Sequence, residues 1–166
     1  MKQHANQDEI TWHQLTRIPT AQREPYISAF ARINQTWIKH YFVLEPKDVK
    51  TLNDPQTSVL DGGGEVLFGC IDNQVAVTCA IIKQSDAVLE LSKMGVDAAF
   101  KGRGLGKLIV PQAVRLATEM GASLLFLESN RRLHSALSIY EQCGFKEAPM
   151  QDTPYARADI RMEIEL

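Results

Sequence analysis

Between a strand-like run and a helix-like run the chain carries Phe100-Lys101-Gly102-Arg103-Gly104-Leu105-Gly106-Lys107-Leu108, with three glycines and three cations in nine residues. The preceding residues 86–97, DAVLELSKMGVD, look like a strand, and Leu105, Leu108, Ile109, Ala113, Leu116, Ala117 and Met120 then repeat at helical spacing. A strand that hands over to a helix through glycines points to a layered α/β fold. Glycine lets the backbone enter positive φ and lets a ligand approach bare N–H groups. The first turn of the helix adds unpaired N–H groups and the positive end of its dipole. A phosphate-like anion is the expected guest, with Lys101, Arg103 and Lys107 around it. The plainer alternative is a solvent-exposed turn whose cations serve solubility.

Two familiar phosphate loops do not fit. A P-loop requires GxxxxGK followed by Ser or Thr, whereas Gly102 to Lys107 reads GRGLGK and is followed by Leu108. A dinucleotide fingerprint needs a third glycine where Lys107 stands.

The rest of the chain supplies the layers. Residues 10–17 alternate imperfectly and suggest a first strand, and residues 21–42 carry apolar side chains at helical spacing, a helical cap. Glu45-Pro46-Lys47-Asp48 reads as a helix start, and residues 65–83 as a hairpin turning at Asp72-Asn73-Gln74. Pro111 is expected to kink its helix, since an interior proline costs about 3 kcal/mol. Gly121 is a plausible stop, residues 123–129 read as a buried strand, and Leu133, Ala136, Leu137 and Tyr140 mark a further helix closed by Gly144. Residues 156–166 alternate strictly, with Ile160, Met162, Ile164 and Leu166 on one face of a final strand. The expected product is one mixed α/β domain over residues 1–166, with residues 1–9 a flexible N-terminus.

Composition excludes several classes. At 45% hydrophobic and 23% charged, with no apolar run near the roughly 18–20 residues needed to span a bilayer, the chain reads as a soluble globular protein without a membrane partner. A net charge of −2 gives no general attraction to nucleic acid. The polar start MKQHANQDEI lacks the features of a leader peptide, so the cytoplasm is the expected compartment. Cys70, Cys79 and Cys143 show no CxxC spacing and read as small apolar residues, the alternative being a reactive thiol at Cys143. The four histidines show no metal spacing, and no metal is expected.

The glycine stretch and its surroundings resemble the coenzyme A pyrophosphate loop of the GCN5-related N-acetyltransferase (GNAT) family: Gln or Arg, two variable residues, Gly, one variable residue, then Gly or Ala. Here that pattern falls on Lys101, Gly102, Arg103, Gly104, Leu105 and Gly106, with Lys101 keeping the charge of the usual first residue but not the fork of arginine. ELSKMGV, 90–96, is similar to the family's fourth strand, and FLESNRRLHSALSIYEQCGF, 126–145, to its fifth strand and fourth helix with the tyrosine and the GF pair. WIKHYF, 37–42, and the ending YARADIRMEIEL resemble one bacterial branch. The resemblance implies a largely antiparallel sheet splayed between the fourth and fifth strands and flanked by helices. It further implies an acetyl-CoA-dependent transfer of an acetyl group to an amine of a small molecule or protein, by direct attack on the thioester.

Carried over by position, residues 101–107 would cradle the pyrophosphate. The backbone of Met94, Gly95 and Val96 would pair with the pantetheine arm, and one of their N–H groups would polarise the thioester carbonyl. Tyr140 matches the tyrosine that protonates the departing sulfur, although its position also fits the apolar stripe of a core residue. Glu90 and Glu128 lie in otherwise apolar strand segments, and either is a candidate base for the substrate ammonium. Structural roles compete: Glu90 pairing with Lys93 or holding a loop, and Glu128 fixing the turn at Asn130. Asn130 itself is expected to cap the next helix or to contact the pantetheine amides, and Leu133 stands where the family often has an asparagine. His134 reads as a solvated helix position near the site. Trp37, Tyr41 and Phe42 either line an acceptor pocket or belong to the core. Against the enzyme stand a non-catalytic acyl-CoA-binding module and a nucleotide-binding regulator. A homodimer would form through the C-terminal strand or the helical cap.

Overall fold

A computed structural model describes residues 9–166; the N-terminus expected to be flexible lies, apart from Glu9, outside the described residues. In chain order the elements are β1 (Thr11–Gln14), α1 (Glu24–Tyr41), α2 (Pro46–Asn53), β2 (Glu65–Ile71), β3 (Gln74–Lys83), β4 (Val88–Val96), α3 (Leu105–Glu119), β5 (Leu124–Ser129), α4 (His134–Gln142), β6 (Lys146–Ala148) and β7 (Ile160–Glu165). The strands form one seven-stranded sheet in the order β1-β2-β3-β4-β5-β7-β6. Neighbours run antiparallel except for β4 and β5, which are parallel.

Local chemistry accounts for most boundaries. The β2–β3 hairpin turns at Asp72 and Asn73, whose φ of 50° and 61° give the left-handed pair that suits the twist of a two-residue connection. Glu45 and Asp48 form a reciprocal capping box at the start of α2, with Pro46 in its first turn. Helix α3 continues through Pro111 to Glu119, and Gly121 at φ 87° reverses the chain after it.

The sheet separates two apolar layers. On one face Phe30 and Ile38 of α1 and Leu52 of α2 pack with Phe68 and Val66. On the other, Leu105, Ile109 and Ala113 of α3 pack with Leu89, Leu91, Leu125 and Leu127. Burying these side chains at roughly 1.5–3 kcal/mol each is what drives both helix layers onto the sheet.

Two departures from regularity shape the centre. The β4–β5 ladder holds only Val88↔Leu124, Leu89↔Leu125 and Glu90↔Phe126. Beyond Glu90, β4 stays on β3 as far as Val96, while β5 stays on β7 as far as Ser129, so the two strands splay apart. Within β4 the pairs Thr78↔Gly95 and Ala80↔Ser92 set one more residue on β4 than on β3. The bulge contains Lys93 at φ 53°, a left-handed conformation that is uncommon for lysine.

The terminal region differs from the expectation. The last strand begins only at Ile160, because residues 156–159 are drawn aside: the Ala156 N–H donates to Glu45 at 2.9 Å, and Arg157 bonds Asp48. Arg161, on the face opposite Ile160 and Met162, is nevertheless 5% exposed and lies with its guanidinium 3.8 Å from the Phe126 ring centroid. The short β6 was not foreseen, and the first strand is confined to Thr11–Gln14, followed by a 3-10 turn.

Candidate active site

The gap between the splayed strands opens a cavity of about 670 Å³. The glycine stretch forms one end of it. Gly102 at φ 80° and Gly104 at φ 77° are left-handed, and Gly104 is the residue from which α3 springs. The first-turn amides of α3 therefore start at the cavity wall, where they have no intrahelical acceptor. Phe100, Lys101, Gly102, Gly104, Leu105 and Gly106 all line the space. A Cβ on Gly106 would meet the movable tip of Ile139 of α4, Cδ1, at 2.8 Å. Arg103 and Lys107 do not line the cavity. Arg103 instead pairs with Glu9 at 3.3 Å and lies 5.7 Å from the Phe100 ring.

Met94, Gly95 and Val96 form one long wall. From Leu91 onward β4 has no strand partner on its β5 side among the described residues, which leaves backbone polar groups there for an added extended segment. Opposite stands Tyr140 of α4, 7% exposed, its hydroxyl 4.0 Å from Met94 Sδ. Burial, with a smaller contribution from Cys79, pushes the Tyr140 phenol well above its ordinary range, so the group stays protonated and able to donate.

The other end is polar beneath an aromatic rim of Trp37, Tyr41 and Phe42. Glu90 and Glu128 both face the cavity from the splayed strands. Burial and then the charge of Glu128 raise Glu90 above the usual carboxylate range, opposed by Lys47, Lys93 and a 2.9 Å hydrogen bond from Gln84. Of the structural roles expected for the two acids, Glu90 does hold a loop, through Gln84 between β3 and β4, but the other two pairings are not found. Lys93 turns away from Glu90 to Asp48, and Glu128 accepts from the Thr153 hydroxyl rather than fixing Asn130. Asn130 does not cap α4, which begins after Leu133. Its side chain accepts from the Arg132 N–H at 2.9 Å and donates to the Arg157 carbonyl at 2.7 Å. His134 is exposed and opens α4 on the cavity side.

A buried ionic cluster missed in the sequence supports this end. Asp48 is fully buried and receives Lys93 Nζ at 2.8 Å, two Arg157 nitrogens at 2.6 and 2.7 Å, and the Glu45 N–H at 2.9 Å. Burial alone would raise the Asp48 carboxyl, but the bonds from Arg157 and Lys93 outweigh it and bring its pKa to about 2. Lys93 also reaches the Tyr155 hydroxyl at 2.9 Å and lies 4.4 Å from that ring's centroid. The bulge, α2 and residues 153–157 are thereby tied together. The only local signal was the Glu45–Asp48 capping box; the partners lie 45 and 109 residues from Asp48 along the chain.

Burial raises the thiols of Cys70, Cys79 and Cys143, so none carries the depressed pKa of a reactive thiolate. Among the described residues no group of three or more His, Cys, Asp or Glu is arranged to hold a metal ion, and no helix is long and apolar enough to cross a membrane.

Comparison with known proteins agrees with this geometry. A curated relative, the uncharacterized N-acetyltransferase YvbK of Bacillus subtilis, is 24% identical over 102 residues, covering 60% of this chain and 66% of that one, just under two-thirds of its length. An acetyltransferase of the GNAT family from Staphylococcus aureus Mu50 superposes with a TM-score of 0.78 at 16% identity, covering 94% of this chain and 98% of that one. The N-acetyltransferase PseH of Campylobacter jejuni, solved in complex with acetyl coenzyme A, superposes with a TM-score of 0.61 at 13% identity over 94% and 98% of the two chains. Residues 12–145, which take in the splayed strands, the glycine stretch and Tyr140, match the model of the acetyltransferase (GNAT) family, and the chain belongs to that family.

Proposed function

We propose that the protein transfers the acetyl group of acetyl-CoA to an amine by direct attack on the thioester. The observation that carries this reading is the meeting, in one cavity, of a left-handed glycine turn at the start of α3 with the unpaired edge of β4. The residues fit the coenzyme. Gly102 and Gly104 hold backbone conformations that bring bare N–H groups toward a pyrophosphate, with Lys101 beside them. The free side of β4 at Met94 to Val96 suits the amide-bearing pantetheine arm. Acetyl-CoA supplies an activated acyl group; the remaining tasks fall to the chain.

Three tasks are distributed as follows. An N–H of Met94, Gly95 or Val96 polarises the thioester carbonyl, its position set by the bulge at Lys93. Tyr140 gives its proton to the departing sulfur; among the described residues its hydroxyl has only the weak Met94 sulfur as partner, so little is lost when a better acceptor arrives. Glu128 or Glu90 takes the proton of the substrate ammonium, directly or through water. Asn130 supports the site by holding the β5–α4 turn against Arg157. Arg103 and Lys107 do not line the cavity, and Lys107 contributes its N–H to the free amides of the first turn of α3.

The test is calorimetry with acetyl-CoA followed by a thiol-release assay across a panel of primary amines. Binding without thiol release from any amine would favour an acyl-CoA-binding module instead. No binding at high micromolar acetyl-CoA would overturn the reading.

A further inference from the structure

The charges that line the acceptor end divide into those already neutralised and those that are not. Lys93 and Arg157 are committed to Asp48, with Arg157 also on Glu45 at 3.2 Å. Once this cluster is set aside, Glu90 and Glu128 remain. Neither forms an ion pair with a cation among the described residues, and their mutual repulsion is one reason Glu90 holds its proton too tightly. Lys47 offsets part of that negative charge from a distance, without an ion pair to either acid. Inside the splay, therefore, the cavity is net negative.

Its mouth has the opposite sign. Arg132, exposed in the turn between β5 and α4, lines the same cavity with its guanidinium 5.2 Å from the centroid of the Phe42 ring, and no carboxylate among the described residues pairs with it. Arg157 flanks the same ring at 6.0 Å but is held by Asp48 and Glu45. Phe42 thus presents a flat apolar surface beside one guanidinium that is spoken for and one that is not. A planar fork of donors in such a setting matches a carboxylate in two parallel hydrogen bonds.

We infer that the acceptor is a zwitterion, a free α-amino acid or a close analogue, whose amine enters between Glu90 and Glu128 while its carboxylate is held at the mouth by Arg132. This rests on the acetyltransferase reading and narrows its acceptor class. It separates free amino acids from simple amines, which leave Arg132 unused, and from protein amines, whose neighbouring carboxyl is an amide. The orientation also suits the chemistry. A carboxylate held at the mouth fixes the amine at the acid pair, so the loss of its proton and its attack on the thioester start from one pose.

The experiment measures thiol release at fixed acetyl-CoA for sets of three matched acceptors: an L-amino acid, its amide, and the amine lacking the carboxyl, with aromatic, aliphatic and acidic side chains in turn. The amide is less basic and the bare amine more basic than the amino acid, so a preference for the acid over both does not come from basicity. At least one set is expected to favour the acid by tenfold or more in kcat/KM. Arg132→Gln should erase most of that preference through KM of the acid, and Arg132→Glu should invert it toward the bare amine. Because Arg132 is exposed, neither variant removes core packing, and melting temperatures will verify folding. The inference is overturned if the amide or bare amine serves as well as the acid in every set, if the preference survives in both variants, or if acetyl-CoA binds but no amino acid is acetylated. Failure to bind acetyl-CoA would instead remove the acetyltransferase reading beneath it.

Discussion

Lys93 Nζ lies 2.8 Å from the Asp48 carboxylate, so the kink in the central strand is anchored to the first turn of a helix 45 residues earlier in the chain. Breaking a buried pair on one side leaves the other charge uncompensated, at about 3–5 kcal/mol. The two sides are not equivalent. Asp48→Asn strands Lys93 and leaves Arg157 with Glu45 alone, whereas Lys93→Met leaves Asp48 with Arg157 and the Glu45 N–H. Urea denaturation should rank Asp48→Asn as the more damaging change; the reverse order would mean that Lys93, not Asp48, is the hub.

Acid should attack the same cluster. The folded pKa of Asp48, about 2, lies below its ordinary value of 3.8, so its contribution is full above pH 3.8 and is lost as the pH falls through about 2. The amount is up to about 2 kcal/mol. Melting curves between pH 5 and 2 should show this loss in the wild type and a flatter dependence in Asp48→Asn.

Glu90 should report the charge of its neighbour. Glu90 is raised by burial and by the negative charge of Glu128, so it gains its proton at a higher pH than an ordinary carboxyl. Removing that charge with Glu128→Gln should move the Glu90 titration toward acid, followed by carbon-13 NMR of the labelled side chain. An unmoved or alkaline-shifted Glu90 would break the proposed coupling.

Tyr140→Phe should lower turnover by about 10²-fold or more if the phenol protonates the leaving sulfur. Coenzyme affinity and stability should change little, because among the described residues the hydroxyl has only the Met94 sulfur for a partner, at 4.0 Å. Stopped assays over a pH range, with calorimetry of coenzyme A binding, separate the two effects. Turnover equal to wild type at every pH would leave Tyr140 as a core residue alone.

Two neighbouring glycines should respond differently. Gly104→Asp keeps a residue type that tolerates the left-handed region and suits a helix start, yet puts a negative charge at the anion end, so the protein should fold and fail to bind acetyl-CoA. Gly106→Ala meets the flexible tip of Ile139 at 2.8 Å and that of Met94 at 4.0 Å and gains helix propensity, so stability should stay within about 1 kcal/mol. Circular dichroism and calorimetry check both. Coenzyme binding by Gly104→Asp would mean that the anion sits elsewhere.

Much of the fold was legible because its signals are local. The helix start at Glu45 to Asp48, the hairpin turn expected at Asp72-Asn73-Gln74 and found one residue shorter, the glycine stop at 121 and the helical stripe from Leu105 each depend on residues within one turn of one another. The strand end at 156–159, the burial of Arg161 and the partner of Glu128 were not legible, because each is set by a contact with a distant segment that competes with local pattern. Asn130 shows the same limit: its residue type suits a helix cap, but a carbonyl 27 residues away takes its amide.

The amino-acid sequence by itself determined the order of the elements apart from β6, the glycine turn and its family pattern, since backbone propensity and hydrophobic period act over a few residues. Tertiary structure alone decided which cations face the cavity. Lys101 and Arg132 line it, Arg103 is drawn to Glu9, and Lys93 and Arg157 are neutralised by an aspartate that reads locally as nothing more than a helix cap. A charge acts through its distance and its burial, and both are properties of the folded chain.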